Sequence, residues 1–265
     1  HAATTLSYAQ AVATALAAEG RADEALKHHE EYVRLQPQEP KAHFSHGTAL
    51  LRAGRIDEAL HRFEETLRLN PDHVDAHNNY GLALRQIGRL DEAITHFQKA
   101  IDLSPDSAPL HNNLGVAFGI AGRLPEAVAQ FAQALAIDPG YAEAHNNLGY
   151  AFRQRGQLDQ AAAHFRDALR LSPRYAEAHN NLALTLAAQG KTTEAISAYR
   201  DVLRLEPTYA DGYVNLAHAL VQLGQISDAA NALEDALRIK PDHAPAQARL
   251  AELRATSTHP AEARH

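Results

Sequence analysis

Apolar residues recur along this chain at spacings of three and four, in two stretches per period. In residues 142–175 the first stretch carries His145, Leu148, Gly149 and Phe152 on one stripe, and the second carries Ala161, Phe165, Ala168, Leu169 and Leu171. Such spacing marks one face of a helix, and so predicts a pair of amphipathic helices. The pair then repeats. Aligned on itself, the chain shows a 34-residue period without insertions, giving seven repeats over 6–39, 40–73, 74–107, 108–141, 142–175, 176–209 and 210–243.

Three positions of the repeat never vary. Position 15 is glycine (Gly20, Gly54, Gly88, Gly122, Gly156, Gly190, Gly224), position 20 is alanine (Ala25 to Ala229) and position 32 is proline (Pro37 to Pro241). Glycine after a helical stretch can take the left-handed conformation that ends a helix. Proline stops the second helix because it cannot continue it. Asp23, Asp57, Asp91 and Asp159 follow the glycine by three residues and are expected to cap the second helix. Small residues at positions 8 and 20 let the two backbones approach, and the aromatic at position 24 fills the space beside them. Each repeat is therefore expected to be helix A, a turn, an antiparallel helix B and a proline break.

This pattern resembles the tetratricopeptide repeat: large at 4, Leu at 7, Gly or Ala at 8, large at 11, Ala at 20, aromatic at 24, Ala at 27 and Pro at 32. The departures are few, among them His29 and Leu233 at position 24 of the end repeats and Tyr80 and His46 at position 7. The resemblance implies an all-α, right-handed solenoid whose concave groove is lined mainly by A helices. It is read as a single domain over 1–254, with a capping helix at 244–254 and a flexible tail at 255–265. On helix A, positions 2, 6, 9 and 13 should face the groove.

Position 6 carries Asn in five successive repeats: Asn79, Asn113, Asn147, Asn181 and Asn215. Position 5 adds Asn78, Asn112, Asn146 and Asn180. Helix propensity does not explain these residues. A carboxamide both donates and accepts, which suits the main chain of an extended peptide. Two other uses stand beside this one: a residue copied by duplication, or one Asn of each pair bonded to the neighbouring helix. The ladder also resembles the repeat domain of O-linked N-acetylglucosamine transferases, which implies substrate-peptide binding by the position-6 Asn residues. Position 2 is acidic in Asp75, Glu143, Glu177 and Asp211; Lys41 reverses it and Pro109 interrupts it. These carboxylates either favour basic ligand side chains or stabilise the first turn of helix A.

Composition narrows the rest. The 265 residues carry a net charge of −7, the wrong sign for an electrostatic nucleic-acid binder. Cysteine is absent, so thiolate metal sites and cysteine nucleophiles are excluded. No run is long enough to span a membrane. The chain starts at His1 with no leader pattern, and is read as a fragment or processed form of a cytoplasmic protein. Seventeen histidines include a ladder at position 4 (His43, His77, His111, His145, His179). Its members should lie ~8–10 Å apart on stacked helices, too far for two nitrogens on one zinc. They are read as core or half-core rings, and no metal or cofactor is expected. No nucleophile, base and acid assemble, so the chain is not read as an enzyme. The expectation is a module that binds an extended peptide or protein segment. Two alternatives are a substrate-recognition arm of a larger glycosyltransferase and a homo-oligomeric scaffold joined through the apolar N-terminal repeat.

Overall fold

The computed structural model describes residues 21–258 and, before them, Val12 and Leu16. Apart from those two residues, the first repeat's helix A lies outside the described residues, as do Gly20, the proposed N-terminal association surface and residues 259–265.

Among the described residues there are fourteen helices and no strands. Internal contacts gather into two compact units, His1–Pro139 and Gly140–His265. The first half holds α1 (Ala22–Leu35), α2 (Pro40–Arg52), α3 (Ile56–Leu69), α4 (Val74–Gln86), α5 (Leu90–Leu103), α6 (Ala108–Ile120) and α7 (Leu124–Ile137). The second holds α8 (Ala142–Gln154), α9 (Leu158–Leu171), α10 (Ala176–Ala188), α11 (Thr192–Leu205), α12 (Ala210–Gln222), α13 (Ile226–Ile239) and α14 (Ala244–Thr258). Even-numbered helices up to α12 are A helices, and odd-numbered ones are B helices. Within each half, A packs on its own B, B packs on the next A, and successive A helices touch at α2–α4, α4–α6 and α8–α10.

The punctuation behaves as physics requires. Each described position-15 glycine has positive φ, between 72° and 78°. The next residue's N–H then reaches back five residues in a Schellman closure, as in Arg55 to the Leu50 carbonyl and Gln157 to the Phe152 carbonyl, both at 2.9 Å. Each B helix ends two residues before its proline.

The aspartate caps are a correction. Helix B starts two residues earlier than expected, so Asp23, Asp57, Asp91 and Asp159 sit inside its first turn. The capping residue is Arg21, Arg55, Arg89 or Gln157, and none makes a side-chain cap bond. The aspartates therefore act through the helix dipole. Helix α14 also runs to Thr258, four residues beyond the expected end of the capping helix and into the stretch read as a flexible tail.

The core is the seam between A and B. Phe63, Phe97 and Phe165 have no exposed surface and lie under the small residues at position 8. A Cβ placed on Gly47, Gly81, Gly115 or Gly149 would come within 2.6–2.8 Å of the facing ring. The glycine is thus a packing requirement set by the phenylalanine. Repeats six and seven carry Ala183 and Ala217 there, with Tyr199 and Leu233 at position 24.

Candidate functional site

The amides at positions 5 and 6 are bonded to one another across repeats. Asn113 Nδ2 donates to Asn78 Oδ1 at 2.9 Å, and Asn181 Nδ2 donates to Asn146 Oδ1 at 3.1 Å. Both rungs join position 6 of one A helix to position 5 of the A helix before it. Asn79 Nδ2 reaches back to Thr48 Oγ1 at 3.2 Å, because the preceding repeat has no Asn to offer, and Asn78 donates to Asn79 Oδ1 at 3.2 Å. Asn112 and Asn146 are 1% exposed and Asn181 is 5% exposed. Asn112 and Asn147 also have partners. Asn78, Asn79, Asn113, Asn146 and Asn181 are thus engaged with neighbouring side chains, while Asn78, Asn79 and Asn113 stay half-buried. Successive A helices bring polar groups together where water is largely excluded, and a buried amide must find a partner.

The ladder recruits the acidic row. Asn146 Nδ2 donates to Glu177 Oε1 at 3.1 Å, tying one repeat to the next. Burial first, then the charges of Glu177 and Glu143, push the Tyr175 phenol up to about 12, while its hydrogen bond with Asn146 opposes the rise. Asp211 accepts from the buried His243 Nε2 at 2.9 Å. Asp75, Glu143, Glu177 and Asp211 all keep exposed side chains.

The seam lapses between repeats six and seven. By register, Asn180 Oδ1 should accept from Asn215, yet it is buried without a hydrogen-bond partner. Position 5 of the seventh repeat is Val214. Position 2 is Asp211, one methylene shorter than Glu177 and already held by His243. Asn180 there lines a cavity of about 190 Å³ with Ala176, Glu177, Val202, Glu206 and Tyr209. Asn215 is half-buried.

The histidine ladder has a structural use. Nε2 of His43, His77, His111 and His179 contacts the carbonyl of Pro37, Pro71, Pro105 and Pro173, six residues earlier, at 2.9–3.0 Å. Each ring thus satisfies a carbonyl at the junction after helix B. The spacing along the ladder does not show that position-4 rings also meet helix B of their own repeat. His77 Nδ1 lies 3.0 Å from His96 Nδ1, and His145 Nδ1 lies 3.1 Å from His164 Nδ1. His96 and His164 were missed because they stand nineteen residues away, across the turn.

Family comparisons agree with the repeat pattern. Signatures described as tetratricopeptide repeat match residues 44–108 and 186–253, and one described as TPR repeat matches 120–154 and 149–190. The chain belongs to the tetratricopeptide repeat family. Its fold class is the all-α solenoid of about seven such repeats. A signature described as a bacterial transcriptional activator domain matches residues 2–69, which partly lie outside the described residues. No curated protein matches the TPR chain.

Solved structures show the same fold. PilW, a type IV pilus biogenesis factor, aligns at TM-score 0.73 and 24% identity, over 80% of this chain and 98% of its own. The Cut9–Hcn1 assembly of APC/C gives TM-score 0.73 and 20% identity, over 91% of this chain and 48% of that one. YrrB, a TPR protein with an unusual peptide-binding site, gives TM-score 0.59 and 23% identity, over 71% of this chain and 96% of its own. No described helix is long and apolar enough to cross a membrane.

Proposed function

We propose that this TPR chain is a protein-interaction module that holds an extended segment rich in basic side chains along its A helices. The supporting observation is the residual capacity of the ladder. A carboxamide has two N–H groups and an oxygen with two lone pairs. In the rungs from Asn79 and Asn113, one N–H of each is committed, and both residues remain half-buried rather than enclosed. The rungs fix the rotamers, so the remaining groups meet a ligand main chain with little further loss of freedom. Asp75, exposed on the same helix as Asn79 and four residues before it, lies on the same face and supplies the preference for cations. The fold similarity to YrrB, itself described as binding peptide, is consistent with this use.

The test is a fluorescence-anisotropy titration with a library of extended peptides biased toward Lys and Arg, at low and at physiological salt. Asn79→Ala with Asn113→Ala should weaken the best binder at least ~10-fold, about 1.4 kcal/mol. Asp75→Asn should weaken it mainly at low salt. Gln133→Ala, an exposed change on helix B, should do nothing. Affinity unchanged in the Asn double variant, with its helicity intact by circular dichroism, removes the proposal.

A further inference from the structure

We propose that His145, His164 and Asp167 form a binding site for a single divalent late first-row cation, zinc in the first instance. One ligand atom from each residue lies within 4.8 Å of the others, and the two Nδ1 atoms are already 3.1 Å apart. Two imidazole nitrogens on a tetrahedral zinc, each at ~2.0–2.1 Å, stand roughly 3.3–3.4 Å from each other. The rings therefore need to part by only a few tenths of an ångström. The carboxylate has farther to move, by up to about 1.5 Å on the same geometry, which is within reach of a side-chain rotation.

The surroundings suit the task. His145 projects from α8, while His164 and Asp167 project from one face of α9 at a spacing of three. Phe152 stacks on the His164 ring, with centroids 5.5 Å apart and planes 18° from parallel, which fixes its orientation. One of the two facing Nδ1 atoms carries the proton of their hydrogen bond; that ring shifts its proton to Nε2 when a cation takes both Nδ1 lone pairs. His164 and Asp167 are both half-buried, which leaves a route in and room for a water as fourth ligand. Arg170 holds Asp167 Oδ1 at 3.3 Å in an exposed pair. Such a pair is worth ~0–1 kcal/mol and does not outweigh a metal bond.

The repeat supplies its own controls. The third repeat has the same two rings, His77 and His96, with Nδ1 atoms 3.0 Å apart, but Lys99 stands where the fifth has Asp167. A cation placed there would face an ammonium. The fourth repeat has His111 facing Gln130, with Gln133 at the acidic position. Of these three repeats, the fifth alone joins two imidazoles to a carboxylate.

The experiment is a titration of the chelator-treated intact chain with zinc chloride by calorimetry, repeated with Co(II) to read its visible d–d absorption. The wild type should bind one equivalent tightly, with a tetrahedral cobalt spectrum. Asp167→Asn should weaken that equivalent at least ~10-fold. His164→Gln should abolish it, and His96→Gln should leave it unchanged. In imidazole nitrogen NMR, one equivalent of zinc should shift the Nδ1 resonances of His145 and His164 and leave those of His77 and His96 in place. Absence of a stoichiometric site in the wild type overturns the proposal. So does an unaltered affinity in Asp167→Asn, or an equal loss in His96→Gln. Should His164→Gln fail to fold, Asp167→Asn and the NMR shifts decide the matter.

Discussion

Two glycines on the same helix give a clean measure of the A–B seam. Gly115 and Gly119 both lie in α6, without the positive φ of the turn glycines. A Cβ on Gly115 would stand 2.6 Å from Cε1 and 2.7 Å from Cδ1 of Phe131, against ~3.5–4.0 Å for comfortable carbon contact. A Cβ on Gly119 would meet nothing within 4 Å. Changing either to Ala gains up to ~1 kcal/mol of helix propensity. Only Gly115→Ala adds overpacking, at ~1–3 kcal/mol. The propensity gain cancels between the variants, so Gly115→Ala should be less stable than Gly119→Ala by ~1–3 kcal/mol. Ala183 facing Tyr199 in the sixth repeat shows that a small residue with a Cβ can be accommodated when the facing ring differs, which favours the lower part of that range. Urea unfolding followed by circular dichroism gives the midpoints. Amide exchange across α6 and α7 shows whether the loss is local, since repeat arrays need not unfold as one unit. Adding Phe131→Leu should recover part of the Gly115→Ala deficit as a coupling between the sites. Equal stability of the two alanine variants would refute the assignment of these glycines to ring clearance.

The remaining predictions concern caps, seams and protons. Gly122→Ala, at φ 74°, forces a left-handed alanine and should cost ~1–2 kcal/mol in thermal unfolding, with no loss of space to blame. Asn146→Ala strands Glu177 and Asn181 and should destabilise by ~1–3 kcal/mol, whereas Asn215→Ala, where the rung is not made, should stay within ~0.5 kcal/mol. Burial and nearby cations or histidines hold His46 and His96 down at about 4, and burial also lowers His29, His77 and His164. The unfolded chain therefore binds more protons between about pH 4 and 6.5, so stability should rise with pH across that window and be fully present above it. Melting temperature that stays level from pH 7 to pH 5 would contradict this; the Arg-paired glutamates, whose pKa values are lowered, add their own loss only below about pH 4.5.

Periodicity alone determined much of this protein. Gly54 and its counterparts end helices because only glycine takes positive φ without cost. Pro71 and its counterparts end the second helix because proline has no N–H to give. Ala59, Phe63 and the small residues facing them name the buried seam because helical spacing puts them on one face. These are local constraints, carried by residues within one turn or one hairpin of each other. The first turn of helix B was misjudged even at that range, since Asp57 and Arg55 are two residues apart and only the backbone dihedrals say which of them is the cap. The fates of the amides and imidazoles were a different kind of question. Asn181 finds Asn146 thirty-five residues away, and His145 finds His164 nineteen away. A repeating sequence offers each of them several chemically equal partners. Which one is met depends on the offset between stacked helices, a distance of a few ångströms that the packing of Phe165 and its equivalents fixes and that no spacing along the chain expresses.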